Sequence, residues 1–508
     1  MGQLTDKQKA FSTIELMIAM AIIVMVLSAV VMTSFGSQSF LIGSQTNAEG
    51  MKLAQGLVEE QQALARKDFN LVNSIASHIY TDASGFAWTE EVSVENPKNP
   101  STDKYDYLAK EVTVKVSWQD QRKQERDVTL KTLVSNLDNS SSSATCNSSP
   151  SGNWTSPDMQ SYSLSAIGAG INNPVTGLDA FQDTVGDKLY VTTATSGTVD
   201  NKFLIFDLAD NGEPSYKNGI DTSLKGANAL TVVSPATGEE KTYAFLANAA
   251  TPTNWTCLES DDCSQFQVVD VSNPSSLSSP TNLKLNWISG SGSTGNGKSI
   301  YYRNGYVFLG LVTGGGPEFN VIDVHNPHAP QAVGKYSVGR TVNAIYANGN
   351  YAYLATDDNA GGNTLLVLDI SNPTTPALKW PKAGSPIMGS TFGYGNAITA
   401  VANSLYFGMS NNSSNPEFYT LANPNPAVAA PTTSTPTVDL PSVSVKGIAI
   451  RDYLANILRS DNKLAIYNMT TSAEHDISLP SNGTALDCQG NYLYAGDAGG
   501  HITVVTGS

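Results

Sequence analysis

Hydrophobic and polar positions change their period along the chain. From Leu16 to Met32 every residue except Ser28 is apolar, and no Asp, Glu, Lys or Arg falls between Leu16 and Ala48. That run is close to the roughly 20 residues a helix needs to cross a bilayer. Residues 37–66 hold no Pro, and Leu53, Leu57, Val58 and Leu64 recur at helical spacing, which predicts an amphipathic continuation. One helix from Phe11 to Arg66 would be about 80 Å long at ~1.5 Å per residue. The period then shortens to two. "FAWTEEVSV" (86–94) and "KEVTVKVSW" (110–118) alternate as strands do, and "RDVTLKTLVSN" follows a charged centre, "QDQRKQE", that predicts a hairpin turn. The expected small antiparallel sheet lies within residues 67–138. Residues 139–158 begin with a Ser-rich, low-complexity stretch that reads as a linker.

Beyond the linker, short apolar strands repeat. "FLIFDLADNGEP" from Phe203, "FQVVDVSNPSSL" from Phe266, "FNVIDVHNPHAP" from Phe319 and "LLVLDISNPTTP" from Leu365 align. Each is an apolar strand, an Asp and a turn. Ahead of each lies a strand with an aromatic: "KLYVTTA", "KTYAFLA", "GYVFLGL", "NYAYLAT". Three more degenerate units follow, making seven. Multi-stranded units at this spacing predict a β-propeller over residues 159–508. The last unit, 484–508, lacks a strand, and "QSYSLSAI" (160–167) is placed to supply it. Asp207, Asp270, Asp323 and Asp369 are expected to bond turn backbone, with Pro setting the next φ. The expected fold is therefore an α+β N-terminal module, a long helix plus a small sheet, followed by an all-β, seven-bladed propeller.

Charge and composition narrow the function classes. The 508 residues carry a net charge of −16, the opposite of the basic footprint a nucleic-acid-binding surface needs. Charged residues make up only 15% of the chain, which suits turn-rich β structure. No catalytic constellation stands out, so an enzyme is not expected. His325 and His328 flank one turn without carboxylate partners in sequence. Asp357, Asp358 and Asn359 in "TDDNAGGN" make an oxygen-rich loop able to take Ca²⁺, but without the ligand alternation of an EF-hand; a solvated turn is favoured and no cofactor is expected. The four cysteines form no CxxC pair, which disfavours zinc. Behind a membrane-targeting segment they suggest two disulfides, a local Cys257–Cys263 and, by elimination, Cys146–Cys488; four free thiols are the alternative.

Glu15 sits at the mouth of the apolar run, where a lone carboxylate is costly. A short polar leader (residues 1–10) ends in Ala10, then "FSTIEL" opens the run with Glu15 fifth from Phe11. This constellation resembles the type IV prepilin signal, with Ala10 where Gly is usual. "AMA" at residues 19–21 looks like a secretory cleavage box but lies inside the apolar run. The resemblance implies cleavage between Ala10 and Phe11 by a prepilin peptidase and methylation of the new Phe11 amine. It also implies residence in the inner membrane before assembly. Glu15 would meet the Phe11 amine of a neighbouring pilin subunit, and the N-terminal helices would pack together. "VTVKVSWQDQRKQERDVTLKTLVSN" (112–136) looks like the terminal hairpin of minor pilins and pseudopilins, and the D-[VI]-x-NP turns resemble the LVIVD repeat family of extracellular propellers. The implied function is a minor pilin that displays a propeller as an adhesion head, at or near the tip of an extracellular filament. The head would bind a surface, a glycan or a protein. A major pilin with a propeller coat, a type II secretion pseudopilin and a membrane-anchored propeller enzyme are the alternatives.

Overall fold

The computed structural model describes residues 25–28, 46–62 and 64, most of 72–135, and 152–508 with breaks at several connecting loops. Ala10, Phe11, Glu15, Cys146, Cys257, Cys263, Asp358 and Asn359 lie outside the described residues. The chain divides into two compact units, Met1–Leu137 and Asp138–Ser508.

The expectation of an α+β module built on one long helix is corrected: the described chain is nearly all β. Helix occupies residues 25–28 and 46–62, apart from the short π-turn Ser165–Ala169. Among the described residues no helix is long and apolar enough to cross a membrane. The apolar run measures hydrophobicity, not helix continuity.

In the first unit, strands Ile75–Thr81, Ala87–Glu95, Ala109–Gln119 and Glu125–Ser135 form an antiparallel sheet in that order. The hairpin pairs Gln119 with Glu125 across the charged turn. Val112, Val114 and Val116 alternate inward, and helix 46–62 covers them with Leu53, Ala54, Leu57 and Val58. Trp88 and Trp118 face each other across two strands, ring centroids 5.3 Å apart. A Cβ at Gly50 would lie 2.7 Å from the Trp118 ring, so only glycine lets the helix approach this closely.

The second unit is a propeller of seven four-stranded sheets. Their innermost strands are Val175–Asp183, Ala227–Val233, Gly297–Arg303, Val342–Asn348, Gly395–Val401, Val445–Arg451 and Gly483–Gln489. Each touches the next and the seventh returns to the first, so the ring is closed. The apolar core is correspondingly divided into seven clusters, each shared by two successive blades. Phe203, Ile205, Leu230 and Leu246 join blades one and two, for example, and Leu178, Val191, Tyr494 and Val504 join seven and one.

Closure uses the start of the domain. Asp158–Ser163 pairs antiparallel with His501–Thr506 as the fourth strand of blade seven, Ser163 opposite His501 and Asp158 opposite Thr506. Asn153 N–H donates to the Ser508 carbonyl at 2.7 Å. Trp154 is buried between blades six and seven, with the Arg451 guanidinium 4.5 Å from its ring centroid.

Candidate functional site

Every innermost strand begins with the same four-residue pattern: V-T-G-L (175), A-N-A-L (227), G-K-S-I (297), V-N-A-I (342), G-N-A-I (395), V-K-G-I (445) and G-T-A-L (483). In all seven, the register against the second strand slips between the first and third of these residues. A bulge re-aims the extra residue away from the ladder. The extra residue is always polar: Thr176, Asn228, Lys298, Asn343, Asn396, Lys446 and Thr484. They form a ring at one end of the central channel.

Five ring members staple their blade to the next. Thr176 donates to the Ala227 carbonyl, Asn228 to Gly297 (2.6 Å), Asn343 to Gly395 (2.9 Å), Asn396 to Val445 (3.1 Å) and Thr484 to Val175 (2.6 Å). Each acceptor is the first residue of the following pattern. The two lysines depart from this. At the blade three to four junction the neighbouring Ser299 hydroxyl takes over, donating to the Val342 carbonyl at 2.8 Å. Neither Lys298 nor Lys446 has a hydrogen bond or ion pair to a described residue, and both side chains are exposed to solvent. Further along the strands, Asp179 Oδ2 accepts from Val232 N–H (2.8 Å) and Asp487 Oδ2 from Ala180 N–H (2.6 Å), binding blades one to two and seven to one.

Blades three and six are not neighbours, so Lys298 and Lys446 meet only across the axis. Lys298 is lowered from its ordinary value, first by the protein that walls it and then by the Lys446 charge, with Asp357 opposing. A side chain that is wetted yet surrounded is what a channel position produces. Asp357 stands just past the second strand of blade four, Tyr351–Thr356, where its Oδ1 accepts from Asn343 Nδ2 at 2.8 Å. The second strands of blades two and four, Tyr243–Asn248 and Tyr351–Thr356, finish at this same end.

The turn aspartates sit elsewhere, between third and fourth strands. Asp270 Oδ1 accepts from Ser272 N–H (3.0 Å) and Oγ (2.6 Å), and Asp369 Oδ1 accepts from Ser371 N–H (3.0 Å) and Oγ (2.6 Å). Asp323 Oδ1 accepts from His325 N–H at 3.0 Å. The Asn of each NP pair then closes a second such turn, as Asn372 does with Thr374. Asp207 has no NP turn and pairs instead with Lys188 (3.1 Å) and Lys217 (3.2 Å). His325 lies edge-on to Tyr306, and His328 contacts the Tyr243 hydroxyl at 3.2 Å. Among the described residues no three His, Cys, Asp or Glu side chains gather as metal ligands. Cys488 is buried and disulfide-bonded; the other three cysteines are outside the described residues, so its pairing remains an expectation.

Comparison with known proteins defines the class. Residues 261–283 and 339–380 match the LVIVD repeat, so the seven-bladed propeller of the second unit carries LVIVD repeats. No curated protein matches it. Solved structures similar to it include virginiamycin B lyase from Staphylococcus aureus, at 10% identity over 69% of this chain and 99% of that one, TM-score 0.46. The β-propeller domain of Myceliophteria thermophila Cps50 (Swd1) is similar at 10% identity over 66% and 98%, TM-score 0.43. The computationally designed Ika8 protein gives 13% over 66% and 97%, TM-score 0.39. At these identities the likenesses say nothing of activity.

Proposed function

We propose that the chain is a minor subunit of a type IV pilus that displays its propeller as a non-enzymatic binding head near the filament tip. The observation that carries this is the leader: a polar decapeptide, Ala10–Phe11, Glu15 and an uncharged run to Ala48. The reading rests on that motif and not on the fold of residues 11–66. A prepilin peptidase would release Phe11, which is then methylated, and the subunit would wait in the inner membrane. Glu15 would pair with a neighbour's Phe11 amine, since a carboxylate left unpaired in apolar surroundings is costly. A large ring at the end of a filament avoids the crowding that a full coat of propellers would impose, and propellers present loop-built faces suited to ligands.

The test is immunogold labelling of an epitope inserted in the Ser-rich linker, on native filaments, beside a Glu15→Ala strain. Gold at filament ends, lost in the variant, is the expected result. Gold along the whole shaft would make this a major pilin. Gold on the envelope and never on filaments would overturn the pilus reading in favour of a pseudopilin or an anchored propeller.

A further inference from the structure

Two of the seven ring positions hold cations, in a propeller whose residues 151–508 carry 16 Lys and Arg against 28 Asp and Glu. The other five ring members have a structural task, holding adjacent inner strands together. Lys298 and Lys446 have none, and Ser299 does the stapling beside Lys298. Neutralising Asp357 does not account for both: that carboxylate is already met by Asn343 Nδ2, and one lysine would suffice. Two like charges held across one channel repel each other, and an anion between them would relieve the repulsion.

The neighbouring oxygens say what else the anion should carry. Asn228 and Asn396 each give one Nδ2 hydrogen to a carbonyl of the next blade, which fixes the amide and leaves its Oδ1 as an acceptor. Thr484 likewise spends its proton on Val175 or Gly496. The ring therefore offers two ammonium groups and several acceptors, which complements an anion that also brings hydroxyl donors. Tyr394, immediately before the ring pattern of blade five, is 50% exposed and offers an apolar face with a polar tip beside the mouth.

We propose that Lys298 and Lys446, with the acceptor oxygens of Asn228, Asn396 and Thr484, form a binding site for a carboxylated sugar in the mouth of the central channel. The lysines hold the carboxylate and the ring oxygens accept from the sugar hydroxyls. This deepens the reading of the propeller as a binding head and rests on that reading for its setting at the cell surface.

The experiment is calorimetric titration of the purified full-length chain in detergent with glucuronate, glucose and inorganic phosphate. Glucuronate is expected to bind at least tenfold more tightly than either of the others. Lys298→Gln and Lys446→Gln should each weaken it by about tenfold, the scale of one charge-assisted hydrogen bond. Lys463→Gln, on the outer side of blade six, should leave it unchanged. Because neither ring lysine has a hydrogen bond or ion pair to a described residue, both variants should keep the parent's circular dichroism and melting temperature. The site is overturned if glucuronate fails to bind or if the folded lysine variants keep parental affinity. Phosphate binding as tightly as glucuronate would overturn the sugar and leave a plain anion site. Gold at filament ends without glucuronate binding would refute this site alone. Glucuronate binding with gold confined to the envelope would refute the pilus reading alone.

Discussion

Replacing Trp154 by Ala should open the propeller at one seam. Trp154 is 5% exposed and packs with Leu454, Leu493 and Val505 across blades six and seven. Truncating a buried Trp costs about 3–5 kcal/mol. The stacked Arg451, held by the Asn491 and Tyr492 carbonyls at 3.2 Å each, loses a further ~1–2 kcal/mol of desolvated cation–π attraction. The closing strand Asp158–Ser163 is outermost and bonded along one edge only, so a loss of about 4–7 kcal/mol falls on the contacts that hold it. Hydrogen exchange read by mass spectrometry on the full chain is the assay, because it resolves local from global opening. Protection over Asp158–Ser163 and His501–Thr506 should fall by roughly 10³-fold or more, about 1.4 kcal/mol per decade. Innermost strands of blades three and four should change little. A fall below tenfold, or an equal fall in every blade, would refute the idea that Trp154 locks the seam.

Asp207 gives a pH signature: burial alone would raise its carboxyl, but hydrogen bonds from Lys188 and Lys217 hold it below the ordinary value. A depressed folded value contributes stability above the unfolded carboxylate range that is lost as pH falls through the folded one. Asp207→Asn should therefore cost at most about 1 kcal/mol at pH 7, the carboxylate being 37% exposed, and progressively less as pH falls below the ordinary carboxylate range; urea midpoints along an acid pH series check this. Asp369→Ala removes the acceptor of two bonds to Ser371 and should cost about 1–2 kcal/mol. Ser371→Ala should cost less, because its N–H bond survives; denaturant titration of both ranks them. Gly50→Ala improves helix propensity by about 1 kcal/mol yet forces a methyl into Trp118; net destabilisation of about 1–3 kcal/mol should appear as an earlier near-UV dichroism transition, and a stabilised variant would contradict the packing.

The third strands were legible because their ends are local chemistry. Asp and Asn-Pro bond their own backbone within two residues, as Asp270 and Asn273 do with Ser272 and Ser275, so the turn is written where it forms. The closing strand was legible as a missing one. Asp207 misled because its "FDLADNGEP" lacks NP, and its partners Lys188 and Lys217 come from neighbouring strands that no local pattern names. The ring was missed although its pattern occurs seven times. A bulge breaks the alternation by which strands are recognised, so periodicity only becomes clean after the third residue. Which strand lines the axis is a property of topology, not of any one segment. The N-terminal module misled differently: helix 46–62 owes its place to Trp88 and Trp118 on a sheet some 40 to 70 residues later, which no helical periodicity names.

Joining the first strand to the last blade also settles how the propeller can be moved between proteins. Asn153 and Ser508 are bonded in both directions, N–H to carbonyl each way, so the polypeptide enters and leaves the ring at one point. A domain whose ends coincide behaves as a cassette. It can be hung from any carrier by a single tether, set into a surface loop, or permuted by joining residue 508 to 152 and cutting between two other blades, with every inter-blade seam preserved. Such a cassette makes no demand on the architecture of the protein that carries it.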